Sequence, residues 1–562
     1  MHQDSIEKGP SRLQQQDEAE RNEWVEATLS EMTLEERAGQ LLMPDTSGVL
    51  IHAESEQYAR LVHAIEKLAV GGFIIFNGDA LTTAALTNRL QARARIPLLF
   101  ASDFEGGVGM QLRGGTRVPR AMALAATGDI ESAAEAARIT AREGRALGVH
   151  VNFYPVLDVN NNPANPIINT RAFSDNPETV ANWGTAFIRA AQGEGQLATA
   201  KHFPGHGDTA LDSHILLPIL DASRERLEQI ELPPFRSAVL RGVRAVMTAH
   251  IAVPALEEDL DRARPATFSH AIVDGILRRS FGFDGLIFSD ALNMGAIADR
   301  YESGEATVRA IEAGCDIALY MADVERAHAA LCDAVSQGRI TRERIDESAR
   351  RVLQAKAWCG LSSERMVSLE GVWNVVASPA HTSTARELFE RGVTLIRDPL
   401  SLLPLERTHE RVGAVILKDA VPVWAHALRE PAGSRFSKEV QLRYRAHMVE
   451  SSADSADIEQ VLAGVRDCDV VLVAVCARVA AYKGSVALGQ AHAEVLRALD
   501  QANLPIIATV FGNPYVLPRM PERATTLLTF ESAVESEEAA VRVIAGEVPA
   551  RGRSPVALPL EG

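Results

Sequence analysis

The chain has no disulfide pattern, no basic stripe and no long apolar run. Its five cysteines (Cys315, Cys332, Cys359, Cys468, Cys476) are odd in number and scattered, with no C-x-x-C pair. That usage excludes a disulfide framework and fits reduced thiols in a cytosolic compartment. With 57 Lys and Arg against 74 Asp and Glu, the formal charge is −17. A nucleic-acid partner is not expected, because phosphate binding needs a basic face. No apolar run approaches the roughly 20 residues of a membrane span. Residues 1–22 form a polar leader without the apolar segment of a signal peptide. A soluble, cytoplasmic protein with no membrane partner is expected, and a monomer or homodimer is the expected state.

What is present is a repeated alternation of apolar runs and amphipathic stretches. Eight runs read as strands: 40–44, 72–76, 97–102, 149–153, 197–200, 245–248, 285–289 and 315–320. Between most of them lie segments with helical spacing, such as Glu131 to Leu147 and Arg224 to Leu240. Eight such alternations predict a parallel (β/α)8 TIM-type barrel over residues 23–360. Irregular sequence over 361–380 reads as a linker. A second series of strand runs, at 393–396, 412–416, 470–475, 506–510 and 526–530, predicts an α/β unit over 381–562. An open sheet covered by helices suits that unit better than another barrel. It is expected to brace the barrel; the alternative is that loops such as Tyr482-Lys-Gly484 and Gly512-Asn-Pro514 rim the site.

Polar residues gather where a barrel places its chemistry. Asp103, Asp158, Lys201, His202, His250 and Asp290 each follow closely after an apolar strand run. The C-terminal ends of barrel strands form the active face. Asp290 ends the buried run Gly285-Leu-Ile-Phe-Ser-Asp290. Such an aspartate is either a cap for the next helix or a nucleophile that attacks an anomeric carbon. The second reading needs another group, one that protonates the leaving oxygen and later activates water.

The segment Lys201-His-Phe-Pro-Gly-His-Gly-Asp-Thr-Ala-Leu-Asp-Ser-His214 supplies candidates. It holds three histidines, two aspartates and a lysine around a Pro-Gly turn. In an extended stretch, Asp212 and His214 would point the same way and hydrogen-bond. The aspartate would then orient the imidazole and stabilise its protonated form. A surface salt link is the plain alternative. His202, His206, Asp208, Asp212 and His214 could also serve as metal ligands by composition. Their spacing is unlike H-E-x-x-H, and Lys201 would oppose a cation.

The same segment resembles, nearly residue for residue, the signature of glycoside hydrolase family 3 in its bacterial β-N-acetylglucosaminidase branch. Supporting matches are Met32-Thr-Leu-Glu-Glu-Arg-Ala-Gly-Gln-Leu-Leu42, Asp103-Phe-Glu-Gly-Gly107, Thr170-Arg-Ala-Phe-Ser-Asp175 and Phe288-Ser-Asp-Ala-Leu292. In the second domain, the run from Gly392 to Leu405 is similar to the family's domain opening, and Gly552-Arg-Ser-Pro-Val556 resembles its closing strand. The resemblance covers almost the whole chain in order.

It implies a barrel followed by a C-terminal α/β sandwich, with Asp290 as nucleophile and Asp212–His214 as the acid/base dyad. Asp103, Arg171, Lys201 and His202 would hold the hydroxyls of the terminal sugar, without metal or organic cofactor. The implied activity removes non-reducing terminal β-GlcNAc, often from muropeptides, with retention. Two positions depart from the pattern: Ala291 stands where many relatives carry a second Asp, and Val108 where they carry an Arg. Arg113 is the candidate substitute for the latter. The alternatives are a phosphorylase, a β-glucosidase or β-xylosidase with its acid in the second domain, a sugar-binding scaffold, and substrate-assisted catalysis by the 2-acetamido group.

Overall fold

A computed structural model describes residues 12–257, 264–406, 411–418, 430–452, 457–479 and 486–559. Tyr482-Lys-Gly484 lies outside the described residues. The first ten strands are β1 (Leu42–Met43), β2 (Asp45–Gly48), β3 (Gly72–Asp79), β4 (Leu99–Ser102), β5 (Leu112–Arg113), β6 (Val151–Asn152), β7 (Leu197–Phe203), β8 (Ala245–Thr248), β9 (Leu286–Ala291) and β10 (Ile317–Leu319). All pair in parallel, in the order β1-β10-β9-β8-β7-β6-β4-β3-β2, with β5 attached to β3.

Closure comes from the run 42–48. Pro44, which has no N–H to give to a ladder, splits it in two. Leu42 pairs with Ala318 on one side and Asp45 with Ile74 on the other, and the Pro44 carbonyl accepts from Ile74 N at 2.9 Å. One strand position thus serves both neighbours, and the eight expected strand positions form a (β/α)8 barrel. Its interior is filled by Met43, Ile74, Leu99, Val151, Phe153, Leu197, Met247, Phe288 and Leu319, all buried together. Phe153 and Phe288 meet edge to face at 5.1 Å. The packed interior leaves only the strand ends open for chemistry.

Some expected elements take other forms. Helix Arg12–Glu31 runs through the expected leader boundary and packs on helix Arg342–Trp358. Arg224 to Leu240 is two helices, Arg224–Gln229 and Leu232–Leu240, because Pro233 and Pro234 can start a helix but not continue one. The stretch read as a linker contains helix Leu369–Val375. Ser368 caps it, and it packs on helices Ala80–Gln91 and Glu131–Ala146.

The second domain is a six-stranded sheet of β11 (Thr394–Arg397), β12 (Val412–Lys418), β13 (His447–Ser452), β14 (Val470–Ala477), β15 (Ile506–Gly512) and β16 (Thr525–Leu528). The order is β11-β16-β15-β14-β12-β13, parallel except for the antiparallel edge strand β11. Every residue of β14 is buried, and its alternate side chains enter two cores. Val471, Val473 and Val475 pack with helices Ile458–Val465 and Gln490–Gln501, while Leu472 and Ala474 pack with Ser434–Tyr444 and Val534–Ile544. A strand buried on both faces reads as a continuous apolar run, as this one does.

Barrel residues Met122, Ala123 and Ala126 complete the first of those cores, which joins the domains through apolar contact. The segment 552–556 is irregular rather than a strand, since Pro555 cannot donate to a ladder. It lies between the domains: Gly552 N donates to Val393 O, Arg553 N to Ala126 O, and Ser174 Oγ to Pro555 O.

Candidate active site

A cavity of about 980 Å³ opens at the C-terminal ends of the barrel strands. Asp103, Arg113, Arg171, Lys201, His202, His214 and Asp290 all line it, so seven of the eight expected site residues converge. Asp212, the eighth, is buried behind His214.

The inner wall is a charge cluster. Lys201, at the end of β7, reaches Asp103 at 2.7 Å and Glu105 at 2.9 Å. Arg171 grips Glu105 with two parallel contacts, Nε to Oε2 at 3.0 Å and Nη2 to Oε1 at 2.7 Å. Burial pushes the Glu105 carboxyl up, but Arg171 and Lys201 outweigh it and hold it well below the usual carboxylate range. Lys201 mirrors this: burial opposes its charge, and Asp103 and Glu105 raise its pKa regardless. Lys201, Arg171 and Glu105 are therefore held in their charged forms, on a wall whose donors and acceptors suit sugar hydroxyls.

His202 is set by Asp158, which is fully buried at the barrel mouth. The carboxylate accepts from His202 Nδ1 at 2.7 Å and from His206 N at 2.7 Å. Since a carboxylate only accepts, Nδ1 carries the proton and His202 Nε2 faces Arg171 Nη2 at 3.5 Å as an acceptor. Burial raises the Asp158 carboxyl, yet His202 and His206 bring it below its ordinary value.

Asp290 stands at the end of β9, with Ala291 N donating to its Oδ1 at 2.7 Å. Burial again works to raise its pKa. His250, His202, the Ala291 N–H and His214 outweigh it, so the carboxylate is held ionised. His250 is fixed by Thr267 Oγ1 at 2.9 Å and the Ala291 carbonyl at 3.0 Å.

Asp212 and His214 pair as expected, but in a turn rather than an extended stretch. His214 Nδ1 donates to Asp212 Oδ1 at 2.8 Å, and the same oxygen accepts from His214 N at 2.9 Å. Ile215 N and Leu216 N both donate to the Asp212 carbonyl. An aspartate that bonds its own backbone two residues on folds such a turn without help from an extended strand. Nδ1 is committed to Asp212, so Nε2 is the nitrogen placed to exchange a proton.

The metal-ligand alternative meets a different arrangement. Asp208 is turned to Arg226 at 2.6 Å, and His206 bonds Thr209 and Ser213. Among the described residues no three His, Cys, Asp or Glu side chains are gathered where one ion would be held.

Sequence reasoning missed three groups. Glu105 lay inside a quoted motif without a role, and only the fold shows that it balances Arg171 and Lys201. His206 acts as a strut: Nδ1 meets Thr209 Oγ1 at 2.8 Å, Nε2 meets Ser213 Oγ at 3.0 Å, and burial lowers its pKa to about 4. The third group comes from the second domain. Glu430, Arg478 and the segment Glu531–Glu535 line the cavity, so this domain shapes the site as well as bracing the barrel. Arg117 faces Glu535 at 3.5 Å and Arg120 faces Glu531 at 3.8 Å across the junction. Gly512-Asn-Pro514 meets the barrel through Asn513, whose Oδ1 accepts from Asn169 Nδ2 at 3.2 Å. Arg113 is exposed on β5 at the cavity rim.

A parallel barrel whose mouth gathers an ionised strand-end carboxylate, a His–Asp pair and a charged inner wall has the layout of an enzyme acting on glycosides. Comparison with known proteins narrows the class. Residues 33–355 match the family described as Glycosyl hydrolase family 3 N terminal domain. A β-N-acetylglucosaminidase/β-glucosidase of Cellulomonas fimi is 32% identical over 550 residues, 95% of each chain. A glycoside hydrolase family 3 β-N-acetylglucosaminidase from Paenibacillus sp. str. FPU-7 superposes with a TM-score of 0.84 at 33% identity, covering 94% of this chain and 100% of that one. The β-glucoside phosphorylase BglX bound to 2FGlc superposes with a TM-score of 0.84 at 25% identity, covering 96% of both chains. The chain belongs to glycoside hydrolase family 3, in its β-N-acetylglucosaminidase branch, and is a glycoside hydrolase.

Proposed function

We propose that this protein is a retaining exo-β-N-acetylglucosaminidase that releases terminal non-reducing β-GlcNAc from chitooligosaccharides or muropeptides. The observation that carries the reading is the 2.8 Å bond from His214 Nδ1 to Asp212 on the wall of the cavity that also holds ionised Asp290. An Asp290 oxygen attacks C1 as the C1–O bond to the aglycone breaks, and the leaving oxygen takes the proton from His214 Nε2. The imidazole, now neutral and still held by Asp212, then removes a proton from water. The resulting hydroxide attacks C1, and the Asp290 carboxylate is expelled with net retention. Proton transfer of this kind contributes about 10² to 10⁴ in rate. Asp103, Arg171, Lys201 and His202 grip the terminal sugar, and Arg113 meets the substrate at the rim.

The second domain contributes residues 531–535 to the wall of the same cavity. All five cysteines are free thiols, in keeping with a cytoplasmic setting. Among the described residues no helix is long and apolar enough to cross a membrane.

A phosphorylase is the second reading, favoured by the likeness to BglX and by the nature of the base. A histidine that has given up its proton is neutral and does not repel phosphate as a carboxylate would. Product analysis on chitobiose with phosphate varied separates the two: two GlcNAc per chitobiose supports hydrolysis, and one GlcNAc with one GlcNAc 1-phosphate overturns it. On an aryl β-GlcNAc, Asp290→Ala should lower kcat at least 10³-fold, on the order of 4 kcal/mol of barrel-mouth catalysis. Full turnover by that variant would remove Asp290 from the mechanism.

A further inference from the structure

The His214 loop rests directly on the backbone that follows the nucleophile. Gly295 N donates to the His214 carbonyl at 3.1 Å, and Ala296 N to the Ser213 carbonyl at 3.4 Å. Gly295 follows Asp290 through a tight turn in which Met294 N donates to Ala291 O at 3.1 Å, and Leu292 N ties that turn to β10 by donating to Leu319 O at 2.9 Å. A Cβ at Gly295 would stand 2.8 Å from the His214 carbonyl oxygen and 2.9 Å from that of Ile215. Both atoms are backbone, so no side-chain rotation relieves the contact. Space alone demands glycine here.

The rest of the loop is lightly held on this side. Leu217 is its buried anchor, packed with Ala252 and Ala296, whereas Leu211, Ile215, Leu216 and Ile219 are exposed. With the His206 strut holding Ser213 from the other side, the contact at Gly295 and Ala296 limits how closely His214 can approach the segment that follows Asp290.

We propose that Gly295 is a positioning residue for His214, and that its missing side chain sets the spacing between proton donor and nucleophile. The inference rests on the reading of His214 as the acid/base group. An alanine would have to push the His214 carbonyl back by about half an ångström to reach ordinary contact. Displacements of 1 Å can cost about 10²-fold in rate, so a loss of about tenfold is expected where the proton is needed.

The test compares kcat/KM, which reports formation of the glycosyl-enzyme, for phenyl β-GlcNAc and 2,4-dinitrophenyl β-GlcNAc. The first leaving group needs a proton and the second does not. Gly295→Ala should lose about tenfold more on the phenyl substrate than on the dinitrophenyl one. Leu217→Ala loosens the same docking contact from its other side and should show the same selectivity, so it carries the test if Gly295→Ala does not fold. Equal losses on both substrates, or none, would overturn the inference. His214→Ala is the reference. If it is selective and the other two variants are not, only the docking inference fails. If His214→Ala itself loses equally on both substrates, the acid/base reading fails and the inference falls with it.

Discussion

Glu105 balances more charge in the cleft than its place in the sequence suggests. Its two oxygens face Arg171 at 2.7 and 3.0 Å and Lys201 at 2.9 Å, and it is buried. Removing one member of a buried charge network leaves the others uncompensated, at a cost of roughly 3–5 kcal/mol. Glu105→Gln should therefore lower stability by about that amount and raise KM, with urea denaturation and steady-state kinetics as the measurements. Unchanged stability would mean that Asp103 alone balances both cations. The gathering of candidate residues at one cavity was legible where they sit in strand-end motifs, as with Asp290, Lys201 and the Asp212–His214 pair. Glu105 was not, because its partners Arg171 and Lys201 reach it from the helical turn Asn169–Arg171 and from β7, far from it in the chain.

At the scale of the element, the loop from Lys201 to His214 owes its shape to internal struts. Asn165 Nδ2 donates to the His206 and Gly207 carbonyls at 2.9 and 2.8 Å, and His206 bridges Thr209 and Ser213. His206 has a folded pKa of about 4, held down by burial, against an ordinary 6.5. Between those values the unfolded chain binds a proton that the folded chain refuses, so stability falls as pH drops from about 6.5 towards 4. Above that window His206 contributes no pH dependence. His150 and His250, also lowered by burial, act in the same direction. From pH 7.5 to pH 5 the share of His206 is roughly 2 kcal/mol. Urea unfolding of His206→Gln at the two pH values should show a smaller difference than the parent chain, and an equal difference would contradict the burial account. The eight barrel strands were readable because each is a short apolar run with a polar end. The turn at Asp212–His214 was not, since spacing alone does not separate an extended pair from a self-capped aspartate turn.

Across the whole molecule, two separately legible domains form one site. The barrel was readable from alternation and the second sheet from runs such as Val470 to Val475. Their junction was not, because contacts such as Arg120 with Glu531 and Ser174 with the Pro555 carbonyl join positions hundreds of residues apart. In the proposed mechanism the segment from Lys201 to His214 divides by job: Lys201 and His202 hold sugar at the strand end, His206 is a strut, and Asp212–His214 carries the proton. By that mechanism this apparatus drives sugar onto Asp290. Treatment with a 5-fluoro-β-GlcNAc fluoride, which keeps the acetamido group, tests it by intact-protein and peptide mass spectrometry. The account predicts one sugar per chain, on the peptide containing Asp290. Turnover of that reagent without any adduct, through an oxazoline formed by the acetamido group, would contradict it.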